Sequence, residues 1–350
     1  LGVEVGNDSL AGIRTTPEAD ELQALAALMV SKDLSHLVME VSSHGLDQLR
    51  IQGAKFKVVG FSNLTQDHLD YHKNMDNYFN AKAKLFTKEY TEIAVINIDD
   101  QYGLKLSKQI SIPTQTVSRN NKNANWYYEK IESKIDGFEV EINSSDGKKI
   151  SGKLALIGEF NLDNLLLAVA LASGAGLDEA KISSTIAQLM SVPGRLEQIK
   201  VGQGFTALVD YAHTPDAVSR VLEIAGKITN GKVIAVLGCG GDRDISKRPL
   251  MGQALFTGSD IAVFTSDNPR NESSDEILKA MVAGIDLMEK GFVVNDRRAA
   301  IDFAVGQASE GDCVLVLGKG HESGQEVNGV ITPFDDRIEL ADSIKRVLNK

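Results

Sequence analysis

"KVIAVLGCGG", residues 232–241, is the stretch on which the fold turns. Five apolar residues follow one another and then give way to glycines around Cys239. An unbroken apolar run is expected where both faces of a strand are covered, as in a parallel α/β sheet; a half-solvated antiparallel strand would alternate. Four further stretches have the same form: "FTALVDYA" (205–212), "IAVFTSD" (261–267), "FVVND" (292–296) and "DCVLVLGKGHE" (312–322). Each ends in polar residues or glycine, and helical patterns lie between them. The C-terminal half therefore reads as a Rossmann-like α/β domain. "GCGGDR" (238–243) does not meet the G-x-G-x-x-G spacing of a dinucleotide site, nor its acidic residue some twenty positions on, so it reads as a tight turn presenting Arg243.

Toward the N-terminus, "HLVMEVSSH" (36–44), "KVVGFSNL" (57–64) and "IAVINIDD" (93–100) read as buried strands of a second parallel sheet. Residues 127–156 alternate with period two around a Ser-Asp-Gly turn, the pattern of an antiparallel insertion. "FNLDNLLLAVALASGAG" (160–176) reads as a buried helix ended by glycine, and "SVPGRLEQI" (191–199) interrupts the helical pattern. The expectation is an α/β chain of two domains, 1–194 and 195–350, without repeats or low-complexity tracts. A length of 350 residues allows each domain its own core.

Composition excludes some partners. A net charge of −11 is unsuited to a broad nucleic-acid face, and no run of 18 apolar residues or export pattern points to a membrane. Cys239 and Cys313 both sit in or beside apolar runs, as buried free thiols of a reducing cytoplasm would. Polar residues gather where strands end: Glu40, Ser42 and His44; Asn63; Asp210 and His213; Gly238 to Arg243; Asp267 to Arg270; Gly318 to Glu322. Ligands of open α/β sheets bind at the carboxyl ends of the strands, so this distribution is that of an enzyme. "EVSSHGLDQLR" (40–50) and "NLTQDHLDYH" (63–72) offer Glu40, Asp67, His68, Asp70 and His72 to Mg²⁺ or Mn²⁺, though the same residues also serve as caps and turn formers. "TSDNPR" (265–270) concentrates a carboxylate, an amide and a guanidinium where a turn needs only Asn-Pro.

Taken in order, "TTPEA" (15–19), "MEVSSHGLDQLR" (39–50), "NLTQDHLDYH", "YFNAKAKLF" (78–86), "GEFNLDN" (158–164), "PGRLE" (193–197), "VDYAHTPDA" (209–217), "GCGGDRDISKRPLMG" (238–252), "SDNPR" and "GKGHE" (318–322) resemble the Mur ligases over the whole chain. The resemblance implies a central ATPase-type parallel-sheet domain followed by the Rossmann-like one. It implies an ATP-dependent amide ligase of peptidoglycan precursor synthesis that phosphorylates the carboxylate of UDP-MurNAc-L-Ala-D-Glu before an amino group attacks. Glu40 and His68 then match Mg²⁺ ligands, and Lys82 matches a lysine carried as a carbamate (N6-carboxylysine). Thr15, Thr16, Ser42, Gln48 and Arg50 match positions holding the muramyl-dipeptide nucleotide, and Asn161, Asn164, Asp210 and His213 match positions near ATP. Arg243, Asn268, Arg270, Gly318 and Glu322 match a receptor for meso-2,6-diaminopimelate; an L-lysine-adding or folylpolyglutamate-type ligase is the alternative on the same scaffold.

One departure stands out. The family's phosphate loop, G-x-x-G-K-[ST], is not found in this sequence, which opens on Leu1. The expectation is a piece starting after that loop, which binds ligands without turnover on its own. The complete enzyme is expected to be cytoplasmic and monomeric, with small molecules as its partners.

Overall fold

The structure, a computed structural model, describes residues 2–12, 14–134 and 137–349. Leu1, and Ile135 and Asp136 of the expected antiparallel insertion, lie outside the described residues. The chain forms two compact bodies, one of Leu1–Leu64 with Tyr71–Leu189 and the other of Thr65–Asp70 with Met190–Lys350.

The first body is built on a six-stranded sheet ordered Phe56–Phe61, Thr91–Asn97, Thr114–Ser118, Trp126–Lys134, Gly137–Ser144 and Lys149–Leu154. The first four strands are parallel neighbours and the last three antiparallel. The alternating sequence of 127–156 is thus a meander added to a parallel sheet. Its inward side chains, among them Trp126, Ile142 and Leu154, pack with Leu162, Leu166 and Ala170 of the helix Phe160–Gly174. Asp100 caps the helix Gln101–Gln109 by accepting from the amides of Tyr102 and Gly103 at 2.9 Å. That helix enters so close to the sheet that a Cβ at Gly103 would lie 1.9 Å from the carbonyl oxygen of Asn97.

One strand expectation fails. Residues 36–42 form no strand, Val38 is 94% exposed, and a helix Ser43–Asp47 follows. An apolar run records β propensity, but a ladder needs a neighbour, and among the described residues none pairs with it. Its end is tied instead by side chains: the Ser42 amide donates to Thr16 Oγ1 at 2.9 Å, and Ser42 Oγ caps the helix by accepting from the Gly45 amide.

The second body holds a six-stranded sheet ordered Gly291–Val293, Ile261–Ser266, Val233–Cys239, Cys313–Leu317, Thr206–Asp210 and Glu197–Gln198. All neighbours are parallel except the last pair. The apolar runs are buried on both faces, which is why they do not alternate. The chain runs outward from Val233–Cys239 to Gly291–Val293, then returns to lay Cys313–Leu317 beside Thr206–Asp210. Reversal of this kind opens a crevice at the carboxyl strand ends.

Candidate functional site

The corner after Ile261–Ser266 is held from three sides. Lys319 is fully buried, and its ammonium donates to Asn268 Oδ1 at 2.9 Å and to Glu322 Oε2 at 3.2 Å. Asn268 Oδ1 also accepts from the Glu326 amide at 2.9 Å. With its oxygen facing two donors, the amide must turn its nitrogen to Glu322 Oε2, 2.9 Å away. Arg270 adopts φ +52°, a left-handed conformation that a non-glycine residue takes at a cost. Two backbone hydrogen bonds to the hairpin Gly324–Val327/Val330–Pro333 hold it there: its amide donates to Glu326 O and its carbonyl accepts from Asn328 N. Its guanidinium donates from Nη1 to Gly241 O at 2.7 Å and sets Nε 3.3 Å from Glu326 Oε2.

The glycine turn completes this corner. Gly241 N donates to Asn268 O, and a Cβ at Gly241 would lie 1.9 Å from Pro269 O, so only glycine lets the two segments close. Asn271 Nδ2 donates to Asp242 Oδ2 at 2.7 Å, and Glu272 Oε1 accepts from the Asp242 amide and from buried Arg248. Arg243 is exposed on this turn; a Cβ at Gly240 would lie 3.7 Å from its Cγ and 3.0 Å from Arg270 Nη1. Gly318 has φ +110°, and a Cβ there would meet Asp267 Oδ2 at 2.8 Å. Asn268, Arg270 and Glu322 are thus brought together, with Gly318 beside Asp267 and Arg243 at the rim. The sequence reading missed Lys319, Gln325 and Glu326, although "GKGHE" contains the first. Gln325 Nε2 donates to Ser266 Oγ and Asp267 O at 3.0 and 2.7 Å.

At the adjoining strand end, Asp210 accepts from the amides of Leu196 and Ala212 at 2.7 and 2.8 Å. Burial pushes its carboxyl above the usual range despite these bonds. His213 Nε2 lies 3.9 Å from Asp67 Oδ2, and Lys247 donates to Asp67 Oδ1 at 2.6 Å. Burial opposes the charge on Asp67, but the Lys247 hydrogen bond and the charges of His68, Lys247 and His213 together lower its pKa. His68 sits at φ +55° with Nε2 3.6 Å from the same carboxylate. Asp67 is therefore a partner of Lys247 here, a position sequence alone did not give.

In the first body, Thr16 is fully buried and donates from Oγ1 to the carbonyl of Glu40 at 3.1 Å. Arg50 Nη1 donates to Thr16 O at 3.3 Å, Nη2 donates to Gln48 Oε1, and Nε lies 3.2 Å from Glu18 Oε1 without a hydrogen bond to it. Thr16, Ser42, Gln48 and Arg50 therefore form one polar cluster, while Thr15 and the Glu40 side chain are exposed. Lys82 Nζ lies over the Tyr78 ring at 5.3 Å, and Tyr78 stacks on His72 at 5.1 Å. His72 is buried against Ser43 Oγ at 2.9 Å. Asn161 Nδ2 donates to Ile157 O at 2.8 Å and Asn164 Nδ2 to Asn161 Oδ1 at 3.4 Å; neither caps the helix Phe160–Gly174. Among the described residues no three His, Cys, Asp or Glu side chains converge as a metal site. Glu40 and Lys82 belong to the first body and His68 to the second.

Comparison with known proteins gives the setting of these clusters. Residues 2–172 match the family described as Mur ligase middle domain, and residues 194–320 match "Mur ligase, glutamate ligase domain". A UDP-N-acetylmuramoyl-L-alanyl-D-glutamate–2,6-diaminopimelate ligase of Streptomyces coelicolor is 43% identical over 98% of this chain and 69% of its own length. The Geobacillus thermodenitrificans protein of the same name is 41% identical over 99% of this chain and 72% of its own. A solved structure of a ligase so named matches with a TM-score of 0.64 and 36% identity, covering 99% of this chain and 72% of that one. A Mycobacterium tuberculosis folylpolyglutamate synthase shares the fold at 18% identity and a TM-score of 0.59.

Proposed function

Because the chain belongs to the Mur ligase family, we propose that it performs the ATP-dependent addition of meso-2,6-diaminopimelate to UDP-MurNAc-L-Ala-D-Glu in peptidoglycan precursor synthesis. The observation that carries this choice is the Arg270 corner, where Gly241 O and Glu326 fix the guanidinium while Glu322 and buried Lys319 fix the Asn268 side chain two residues before it. A guanidinium receives a carboxylate through two parallel donors, which suits the distal carboxylate that meso-diaminopimelate has and lysine lacks. Arg243 and Asn268 assist Arg270, while the Gly318 backbone and Glu322 take the distal ammonium.

The remaining clusters fit the other reactants. Thr15, Thr16, Ser42, Gln48 and Arg50 hold the muramyl-dipeptide nucleotide, and the buried Arg50 Nε, with no hydrogen-bond partner among the described residues, is a donor suited to its oxygens. Asn161, Asn164, Asp210 and His213 orient ATP. Glu40, His68 and Lys82 as a carbamate would hold Mg²⁺, which would neutralise charge between the two polyanions. The D-glutamyl carboxylate attacks the γ-phosphorus of ATP, giving an acyl phosphate and ADP. The amine of the incoming amino acid, held by the corner, then attacks the acyl carbon and expels phosphate. The protein's contribution is position and charge, since phosphoryl transfer offers side chains little covalent work. The reading puts this monomeric enzyme in the cytoplasm, where ATP is supplied.

The test is a pair of specificity constants, one per amino acid, for the complete enzyme as wild type and as Arg270→Ala. Losing a bidentate charged contact lowers kcat/KM for meso-diaminopimelate by about 30-fold or more, and hardly alters the poorer constant for L-lysine. Equal loss on both amino acids, or none, removes the reason for choosing diaminopimelate.

A further inference from the structure

The guanidinium that has to receive a ligand carboxylate already faces one. Glu326 Oε2 stands 3.3 Å from Arg270 Nε, while Gly241 O takes a proton of Nη1. A guanidinium has five N–H donors, so three remain, both on Nη2 and one on Nη1. The arginine is pinned at both ends with an end-on edge free. Among the described residues Glu326 has only this one cation partner, whereas Glu322 Oε2 is already met by Lys319 and by Asn268 Nδ2. Glu322 and Lys319 balance one another inside the wall, and the more exposed pair at the corner is Arg270–Glu326.

Resting on the reading above, we propose that Glu326 is a specificity-determining residue: with Arg270 it forms a receptor for a zwitterion, and it shares the distal ammonium of the amino acid with Glu322. Selectivity arises from charge alternation at the corner. In the free site the guanidinium and the carboxylate satisfy each other. A ligand end bearing both a carboxylate and an ammonium places its anion on Arg270 and its cation on Glu326, and every charge keeps an opposite neighbour. A ligand bringing a carboxylate alone sets two anions on one guanidinium, and like charges at that distance repel. A ligand bringing an ammonium alone leaves Arg270 with no new partner. Selection thus falls on the combination, which a lone arginine could not enforce.

The test uses three amino acids in the ligation reaction: meso-diaminopimelate, 2-aminopimelate and L-lysine. 2-Aminopimelate keeps both carboxylates but has one amino group, so any ligated product must have had its bare carboxylate at the corner. Glu326→Gln removes the charge and leaves the backbone bonds of residue 326 to Asn268 Oδ1 and the Arg270 amide in place. The expected result is a loss of about tenfold in kcat/KM for meso-diaminopimelate and a rise for 2-aminopimelate, so that the preference between them shrinks by more than tenfold. Glu326→Asp, which keeps the charge on a shorter stem, should retain most of that preference. Equal losses on both substrates would reduce Glu326 to a structural residue of the hairpin, and an unchanged ratio would also overturn the assignment while leaving the functional reading intact. A complete wild-type enzyme, phosphate loop included, that ligates none of the three overturns that reading and this assignment with it.

Discussion

At the scale of single residues, burial and the nearest charge decide what each group does. Cys239 and Cys313 are buried, and burial pushes both thiols up to about 12. Thiolate is the reactive form, so neither should be labelled by a maleimide in the folded protein, and both should be after denaturation. Rapid labelling of either in native buffer would contradict the burial. Asp67 shows the opposite case. Its carboxyl is held below the ordinary value of 3.8, so in that range the unfolded chain binds the proton more tightly than the folded one. Its stabilising contribution is therefore complete above the ordinary value and disappears as pH falls through the lowered one. The difference in urea midpoint between wild type and Asp67→Asn should be present at about pH 5 and shrink in more acid solution. A difference that grows on acidification would mean that Lys247 does not hold this carboxylate charged.

At the scale of elements, the two loops that build the corner are tied by a group which sequence reading did not single out. Arg297 opens the helix Arg297–Gln307 and is fully buried. It donates from Nε and Nη2 to the two oxygens of Asp336 at 2.8 and 2.7 Å, from Nη1 to Ser266 O at 3.2 Å, and from Nη2 to Leu317 O at 2.8 Å. Burial works against its charge, but Asp336 more than compensates and raises the guanidinium pKa further. The last carbonyls of two parallel strands are thereby fixed to one side chain, immediately before Asp267 and Gly318. Arg297→Met should destabilise the second body by about 3–5 kcal/mol in urea unfolding, because it strands a buried carboxylate. Arg297→Met with Asp336→Leu should recover most of that, since removing both charges also removes their desolvation. A single variant costing less than about 1 kcal/mol would mark the pair as inessential. Strands such as Val233–Cys239 were legible in the sequence because their pattern is local, and so was the meander of 127–156. Residues 36–42 misled because pairing is not local. Arg297, Lys319 and Glu326 were illegible for the same reason: their partners lie 39, 51 and 56 positions away.

At the scale of the whole molecule, the second body has what a domain needs to stand alone. Its sheet lies entirely within residues 197–317, and its buried cluster, from Ala207 to Ile344, is drawn from that sheet and the helices on it. At about 160 residues it can bury roughly two thirds of its unfolded surface, enough for cooperative folding. What 190–350 would lack is Thr65–Asp70, whose Asp67 carboxylate takes the Lys247 ammonium. Lys247 is not fully buried, so losing that partner lets water replace the carboxylate at modest cost. Residues 190–350 produced alone should therefore unfold in a single urea transition. The whole Arg270 corner, with Arg243, Asn268, Gly318, Glu322 and Glu326, lies within them. Titration calorimetry should accordingly detect meso-diaminopimelate binding to this piece, and much weaker binding of L-lysine. A piece without a cooperative transition would show that its core depends on the remainder of the chain. A cooperatively folded piece indifferent to both amino acids would place the amino-acid receptor outside the corner, however well its donors are fixed.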